Sequence, residues 1–331
     1  MEMRDFGRTG MRVSVFGFGC GAVGGLMVRG SPADQQRAVV RALDAGINYF
    51  DTAVQYGNGA SETNLGRAWA ALKPAAYVGT KIRFTQAERS NIRAAAAASL
   101  EGSLHRLGMD HVDIFHLHNA ITADGGEESL SVKMVLEEVV PAFEALRQQG
   151  KTRFLGITAV GETAALLQVI DSGAFQSAQV SYNMLNPSAG TAVPEKYPAQ
   201  DYGRLLDHTT AAGLGVIGIR VLAGGALTGT AARHPIASPP PEPIGSALRY
   251  EDDLDRARRL APLVAEGHAV SLAEAATRFV IASPAISTML VGMATEAEFE
   301  QALAAVETGP LSAAALARLA ELQRGFVGEA R

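Results

Sequence analysis

Gly46-Ile47-Asn48-Tyr49-Phe50-Asp51-Thr52-Ala53-Val54-Gln55-Tyr56-Gly57 sets a short apolar run, Ile47 to Phe50, directly before a polar stretch. Sequence of helical period lies on both sides, so the run reads as the strand of a strand–helix unit. The unit recurs from residue 15 to about residue 306. Its strands are predicted at Val15 to Gly19, Ile47 to Phe50, Ala76 to Thr80, Val112 to Leu117, Phe154 to Ile157, Ser177 to Ser181, Gly215 to Ile219 and Ile286 to Val291. Such alternation builds a parallel sheet covered by helices. Eight units close naturally into a (β/α)8 TIM barrel, whereas an open doubly wound sheet usually has fewer strands and needs a switch point.

The helix boundaries follow local chemistry. Ser31-Pro32 supplies an N-cap and a first-turn proline for a helix that stops before Gly46. The fourth helix is predicted from about Val132 to Gln149, with Gly150 as its C-terminal glycine. Three parts lie outside the repeat. Residues 3 to 14, with Gly7-Arg8-Thr9-Gly10, read as a hairpin able to plug the barrel's bottom. Thr228 to Tyr250, with Pro239-Pro240-Pro241-Glu242-Pro243, is a stiff loop expected over the top face. Ser312 to about Arg324 forms an extra C-terminal helix. At 331 residues the chain has room for two domains or for one barrel of about 250 residues with long loops. It shows no strict repeat and no linker, which favours one α/β domain over residues 1–331.

Composition narrows the function. With 47% hydrophobic residues and 19% charged ones, the chain can bury a large core, which excludes disorder and coiled coil. A net charge of −5 without a long basic run offers no footprint for nucleic acid or an anionic membrane. No apolar run approaches the roughly 20 residues of a membrane span. Cys20 is the one cysteine, so no intrachain disulfide or thiolate zinc cage can form. A reducing, cytoplasmic setting is the expectation; oligomeric state is not specified.

In a barrel, residues at the carboxyl ends of strands face one shared site. Asp51 and Tyr56 follow the second strand, Lys81 ends the third and His118 ends the fourth. Singly, each has a structural reading: Asp51 as a turn cap, Lys81 at the rim, His118 as a hydrogen-bonded core histidine, Tyr56 as a packed loop aromatic. Jointly they place an acid, a base, a phenol and an imidazole on neighbouring strands. The phenol, with pKa about 10, can donate to a developing alkoxide, and Lys81 is expected to lower that pKa. Asp51 would hold Lys81 charged, and His118 would hydrogen-bond a carbonyl oxygen. This quartet suits carbonyl reduction and its reverse.

Two rival motifs carry less. His116 and His118 form an HxH pair on one strand face, the start of a barrel hydrolase metal site, but later strand ends supply Thr158, Ser181 and Ile219 instead of ligands. No metal is therefore expected. Gly19-Cys20-Gly21-Ala22-Val23-Gly24 fits GxGxxG, yet Gly25, Gly30 and Ser31-Pro32 postpone the helix beyond its place in a dinucleotide fold. It reads as a flexible first loop lining the barrel mouth.

The chain resembles the aldo-keto reductase superfamily. The stretch Gly46 to Gly57 with Ser61-Glu62 and Leu65-Gly66 carries the likeness, joined by Gly7 to Ser14, Gly79-Thr80-Lys81, Val112 to His118 and Gly150 to Ile157. The resemblance implies a (β/α)8 barrel using NAD(P)H, with the tetrad Asp51, Tyr56, Lys81 and His118 and with Tyr56 as general acid. Around the cofactor it implies Gly19, Cys20 and Gly21 after strand one, and Thr158 and Gln179 for the carboxamide, with Ala159 departing from the usual asparagine. Ile219 stands where a tyrosine stacks on nicotinamide. Arg220, Leu222 and Gly224 fall in the pyrophosphate loop, and Gly292, Met293, Thr295 and Gln301 at the adenosine end.

That adenosine end, Val291 to Thr308, has no Lys or Arg and has Glu296, Glu298 and Glu300. Carboxylates would repel a ribose phosphate, so NAD is expected over NADP. Val54, Arg83 and Asn119 are the candidate substrate residues, with loops Asn119 to Leu130, Met184 to Tyr202 and Thr228 to Tyr250. Asp124, Glu127 and Glu128 either bind hydroxyls or are solvated loop charge. Gly150 to Thr158 and Ile286 to Met293 look most like the branch that oxidises L-galactose or L-fucose at C1, which implies an aldehyde, ketone or sugar as the small-molecule partner. A cofactor-binding regulatory subunit with little turnover is the other reading.

Overall fold

Two short strands, Met3–Asp5 (β1) and Arg12–Ser14 (β2), pair antiparallel before the repeat begins. The computed structural model describes residues 1–331. The repeat supplies Phe16–Gly19 (β3), Tyr49–Asp51 (β4), Tyr77–Ile82 (β5) and Val112–Leu117 (β6). A loop with two short strands follows, Ala120–Thr122 (β7) and Ser129–Ser131 (β8). Then come Thr152–Ala159 (β9), Ser177–Ser181 (β10), Gly215–Ile219 (β11) and Thr288–Val291 (β12). The order β3-β4-β5-β6-β9-β10-β11-β12 closes on itself, all neighbours parallel. All eight predicted strands are present; β6, β10 and β11 have the predicted bounds.

The helices depart from expectation in two places. Pro32–Asp44 is capped by Ser31, whose hydroxyl accepts the Asp34 N–H. A one-turn helix, Leu26–Arg29, precedes it inside what the sequence reads as a flexible first loop. The fourth helix runs from Val132 to Gln148 but passes through a π turn at Val135–Val139. Pro141 accounts for it: the ring has no N–H to give and crowds the carbonyl one turn back, and a widened turn relieves both. The last helix, Ala313–Arg324, keeps the predicted end and starts one residue after Ser312, whose hydroxyl caps it by accepting the Ala315 N–H.

The hairpin plugs the bottom. Phe6, Met11 and Val13 are buried against the inward-facing Tyr49, Ile114 and Ile217. Gly215 makes this possible, since a Cβ there would lie 2.3 Å from the Phe6 ring. The outward-facing strand residues, among them Phe18, Phe50 and Phe115, pack under the helices. The loop after β11 crosses the top and is pinned to the first βα loop. Arg29 donates to the Ile236 carbonyl at 2.6 Å and to the Ala22 carbonyl at 2.5 Å. No helix is long and apolar enough to cross a membrane.

Candidate active site

Alternation along β4 and β5 turns Tyr49, Asp51, Gly79 and Lys81 into the barrel, and along β6 it does the same for Ile114 and His116. Asp51 and Lys81 are both fully buried and form an ion pair through Asp51 Oδ1. The Lys81 ammonium also donates to the Thr52 carbonyl at 2.8 Å and to the Tyr56 hydroxyl at 3.1 Å. Its three protons are thereby used, and the Tyr56 oxygen is an acceptor toward Lys81. The phenolic proton is left facing the cavity. The His118 ring meets the Tyr56 ring edge-on, centroids 5.9 Å apart, and His118 Nδ1 lies 3.5 Å from Gln55 Oε1. The second Asp51 oxygen accepts from Gln179 Nε2 at 2.6 Å and from the Tyr49 hydroxyl at 3.2 Å.

Burial dominates the electrostatics. It pushes the Tyr56 phenol above its ordinary value, and Lys81 pulls it back only in part. The expected lowering by Lys81 is real but smaller than desolvation, so the group is a protonated phenol at neutral pH. Burial pushes Lys81 down, but Asp51 and Tyr56 together raise it further, and it stays cationic. Burial likewise raises Asp51 against the pull of Lys81. His118 falls to about 3 through burial, then Lys81 and Arg83. Its imidazole is neutral, a hydrogen-bond donor without charge. His116 is also held neutral by burial, and its Nε2 lies 3.2 Å from Ser177 Oγ. The HxH pair gathers no further ligand, for no cluster of three His, Cys, Asp or Glu able to hold a metal occurs.

The tetrad opens into a cavity of about 910 Å³. Among the residues implied by resemblance, Gly19, Gly21, Thr158, Gln179, Ile219, Arg220, Leu222, Gly224, Gly292 and Gln301 line it, as does Arg83. Five do not. Cys20 follows the inward-facing Gly19, so alternation turns it into the wall, where it is buried. Met293 is buried, and Thr295 caps the helix Glu296–Thr308 by accepting the Glu298 N–H. Asn119 uses its amide on the Phe84 backbone, accepting at 2.7 Å and donating at 2.9 Å. Val54 is half-buried in the loop beside Tyr56. Ala159 faces the outer core.

Further side chains line the cavity, some of them from the loop expected over the top face. The Thr228 to Tyr250 loop brings Arg233 and His234 to the cavity, and Ser271, Glu274 and Thr277 come from the helix Leu272–Ile281 and its cap. The Met184 to Tyr202 loop instead packs inward through Asn186, Ser188 and Tyr202. From the loop after β6, Ala120 reaches the cavity, while Glu128 pairs with Arg83. At the far end Glu300 is held bidentately by Arg41, and Glu296 lies 3.7 Å from Arg37. Of the three carboxylates expected there, Glu298 alone lines the cavity, with one oxygen bound to the Ala294 N–H.

The cavity suits a dinucleotide. Its volume is at the upper end of the roughly 300–1,000 Å³ of cofactor sites. Thr158 Oγ1 is buried on its wall without a partner. Arg220, in a left-handed backbone conformation (φ 58°), meets no carboxylate and spends one bond on the Glu242 carbonyl at 3.1 Å. A Cβ on Gly24 would lie 2.0 Å from the Met293 nitrogen, so the loops after β3 and β12 approach as bare backbone.

Comparison with known proteins agrees. The aldo/keto reductase family profile matches residues 15–324. The chain is 31% identical over 319 residues to L-galactose dehydrogenase of Arabidopsis thaliana, covering 92% of this chain and 88% of that protein. It is 27% identical over 328 residues to D-threo-aldose 1-dehydrogenase of Pseudomonas sp, covering 88% and 89% respectively. The holo form of aldo-keto reductase AKR11C1 from Bacillus halodurans shares the fold, with TM-score 0.71 and 22% identity over 100% of this chain and 98% of that one. This chain belongs to the aldo/keto reductase family and is an NAD(P)-dependent oxidoreductase that interconverts carbonyls and alcohols.

Proposed function

We propose that Tyr56 is the proton donor and acceptor of this interconversion and that the substrate is a sugar hemiacetal or a related aldehyde. The supporting observation is the Lys81 ammonium, bound to Asp51, the Thr52 carbonyl and the Tyr56 oxygen, which leaves one phenolic proton facing the cavity. In reduction, Tyr56 protonates the carbonyl oxygen as it becomes an alcohol, and Lys81 stabilises the phenolate left behind. In oxidation the phenolate takes the alcohol proton. A dinucleotide held in the cavity supplies the hydride in reduction and accepts it in oxidation. Neutral His118 donates a hydrogen bond to the substrate oxygen and orients it.

Thr158 and the free Gln179 carbonyl suit the carboxamide, and Ile219 the nicotinamide face. Arg220, Leu222 and Gly224 suit the pyrophosphate, while Gly292 and Gln301 suit the adenosine. The sugar reading draws on the substrates named for the plant and Pseudomonas relatives. A panel of aldoses, simple aldehydes, ketones and quinones, assayed in both directions with both cofactors by nicotinamide absorbance, tests it. Turnover confined to quinones would overturn the sugar assignment.

Two further results are expected. NAD should bind more tightly than NADP by about tenfold, because the helix Glu296–Thr308 at the adenosine end lines the cavity with Glu298 and contributes no cation. The margin is smaller than three free carboxylates would give, since Arg37 and Arg41 neutralise two of them. Fluorescence titration of both reduced cofactors measures it, and tighter NADPH binding refutes it. His118 should leave no limb in the pH profile of reduction between about pH 5 and pH 8, because a group titrating near 3 stays neutral throughout. A limb near pH 6.5 that disappears in His118→Ala would contradict the neutral-donor role.

A further inference from the structure

Beneath the tetrad lies a residue with no role in it so far. Tyr49 is fully buried two residues before Asp51 and faces the same way. Its hydroxyl lies 3.2 Å from Asp51 Oδ2, the oxygen that Lys81 does not hold. Gly79 on the neighbouring strand leaves the space for it, since a Cβ there would lie 2.4 Å from the Tyr49 oxygen. Below, the Tyr49 ring stacks on Phe6 of the hairpin plug, centroids 6.1 Å apart and planes 26° apart. Phe6, Tyr49, Asp51, Lys81 and Tyr56 thus form a continuous column from the barrel floor to the cavity.

We propose that Tyr49 is a positioning residue for proton transfer. Its hydroxyl donates to Asp51 and, with Gln179, fixes the carboxylate in the ionised form and orientation that hold Lys81 against Tyr56. The chemistry requires a donor there. Asp51 has lost its water, and a buried carboxylate stays ionised only if its oxygens are met by donors. Tyr49 serves reliably, because burial and the adjacent Asp51 raise its own pKa and keep it a protonated phenol. The effect reaches Tyr56 in a definite direction. A better-held Asp51 carboxylate favours the Lys81 cation, and that cation favours the Tyr56 phenolate.

The inference builds on Tyr56 as the proton-transfer group, and one arm of its test needs no turnover. In protein labelled with 13C at the aspartate carboxyls, Asp51 is assigned by Asp51→Asn and titrated in wild type and in Tyr49→Phe. Loss of a donor to the carboxylate should raise its midpoint by about one on the pH scale. In the kinetic arm, Tyr49→Phe should lower kcat for oxidation about three- to tenfold, leave KM and cofactor affinity unchanged, and move the alkaline rise of the oxidation profile to higher pH. An unchanged Asp51 midpoint overturns the proposal whether or not activity falls. Lower kcat with an unshifted profile also overturns it, since that marks a merely structural role. Gly79→Ala provides a second route. Its Cβ should displace the Tyr49 hydroxyl and reproduce the shift, and it should be better tolerated when the hydroxyl is already absent, in Tyr49→Phe/Gly79→Ala. Equal penalties in the two backgrounds would count against the contact.

Discussion

Tyr56→Phe is expected to lower kcat by about 10²–10⁴-fold in both directions, the usual range for removing a general acid–base group. Dinucleotide affinity should change by less than about twofold, because the substitution removes one hydroxyl and leaves the ring in place. The ring still meets His118 edge-on and still covers Lys81, whose ammonium lies 4.7 Å from its centroid. What disappears is the proton facing the cavity. The proposed role of Tyr56 also carries an expected pH dependence for the wild-type enzyme. Burial raises the Tyr56 phenol above its ordinary value, so the donor form persists through neutral pH and reduction should be flat there. Oxidation needs the phenolate and should rise toward alkaline pH. Steady-state kinetics in both directions, paired with fluorescence titration of the reduced cofactor, measure all three quantities. A variant that keeps its turnover would remove Tyr56 from the mechanism.

The convergence of Asp51, Lys81 and His118 was legible in the sequence because alternation fixes which residues of each strand face inward. Asp51 and Lys81 end consecutive strands of a parallel barrel, and His118 follows the next one, so their tips converge without further information. The same parity argues against Cys20, one residue past the inward-facing Gly19, and the structure places it in the wall. Thr295, expected at the adenosine end, carried a local signal for a different role. Thr295 with Glu298 three residues later is the pattern of a helix N-terminus, and the side chain serves as that cap. Other features depend on contacts distant in sequence. Arg41 neutralises Glu300 from 259 positions away, which no local pattern reveals. The long loop after β11 was expected over the top face, but which of its side chains enter the cavity, Arg233 and His234 among them, depends on how it folds back there. Asn119, placed for a substrate by its position after β6, spends both ends of its amide on the Phe84 backbone 35 positions away.

Lys81→Met should destabilise the protein by about 3–5 kcal/mol, the usual cost of leaving a buried charge without its partner. The Asp51 carboxyl would keep Gln179 and Tyr49 but lose its cation in a site that is 0–4% exposed. Such a carboxyl takes up a proton to escape the cost, which gives the loss a pH dependence of known sign. Below about pH 4 the carboxyl is protonated in the folded and unfolded chains alike, and it adds no penalty. As the pH rises, the unfolded chain releases that proton while the folded one holds it, so stability falls with increasing pH until the raised folded-state pKa is passed. Urea denaturation at pH 5 and pH 8 should therefore show a larger deficit relative to wild type at pH 8. Adding Asp51→Asn removes the charge itself. The double variant Lys81→Met/Asp51→Asn should recover about 2 kcal/mol or more of the lost stability, most clearly at pH 8. Turnover should not recover with it, because Tyr56 still lacks the cation that stabilises its phenolate. A stable but inactive double variant separates the two roles of the ion pair, which holds the barrel's polar centre together and tunes the phenol above it. If the double variant is no more stable than Lys81→Met, the lost stability comes from packing around the lysine stem and not from the stranded carboxylate.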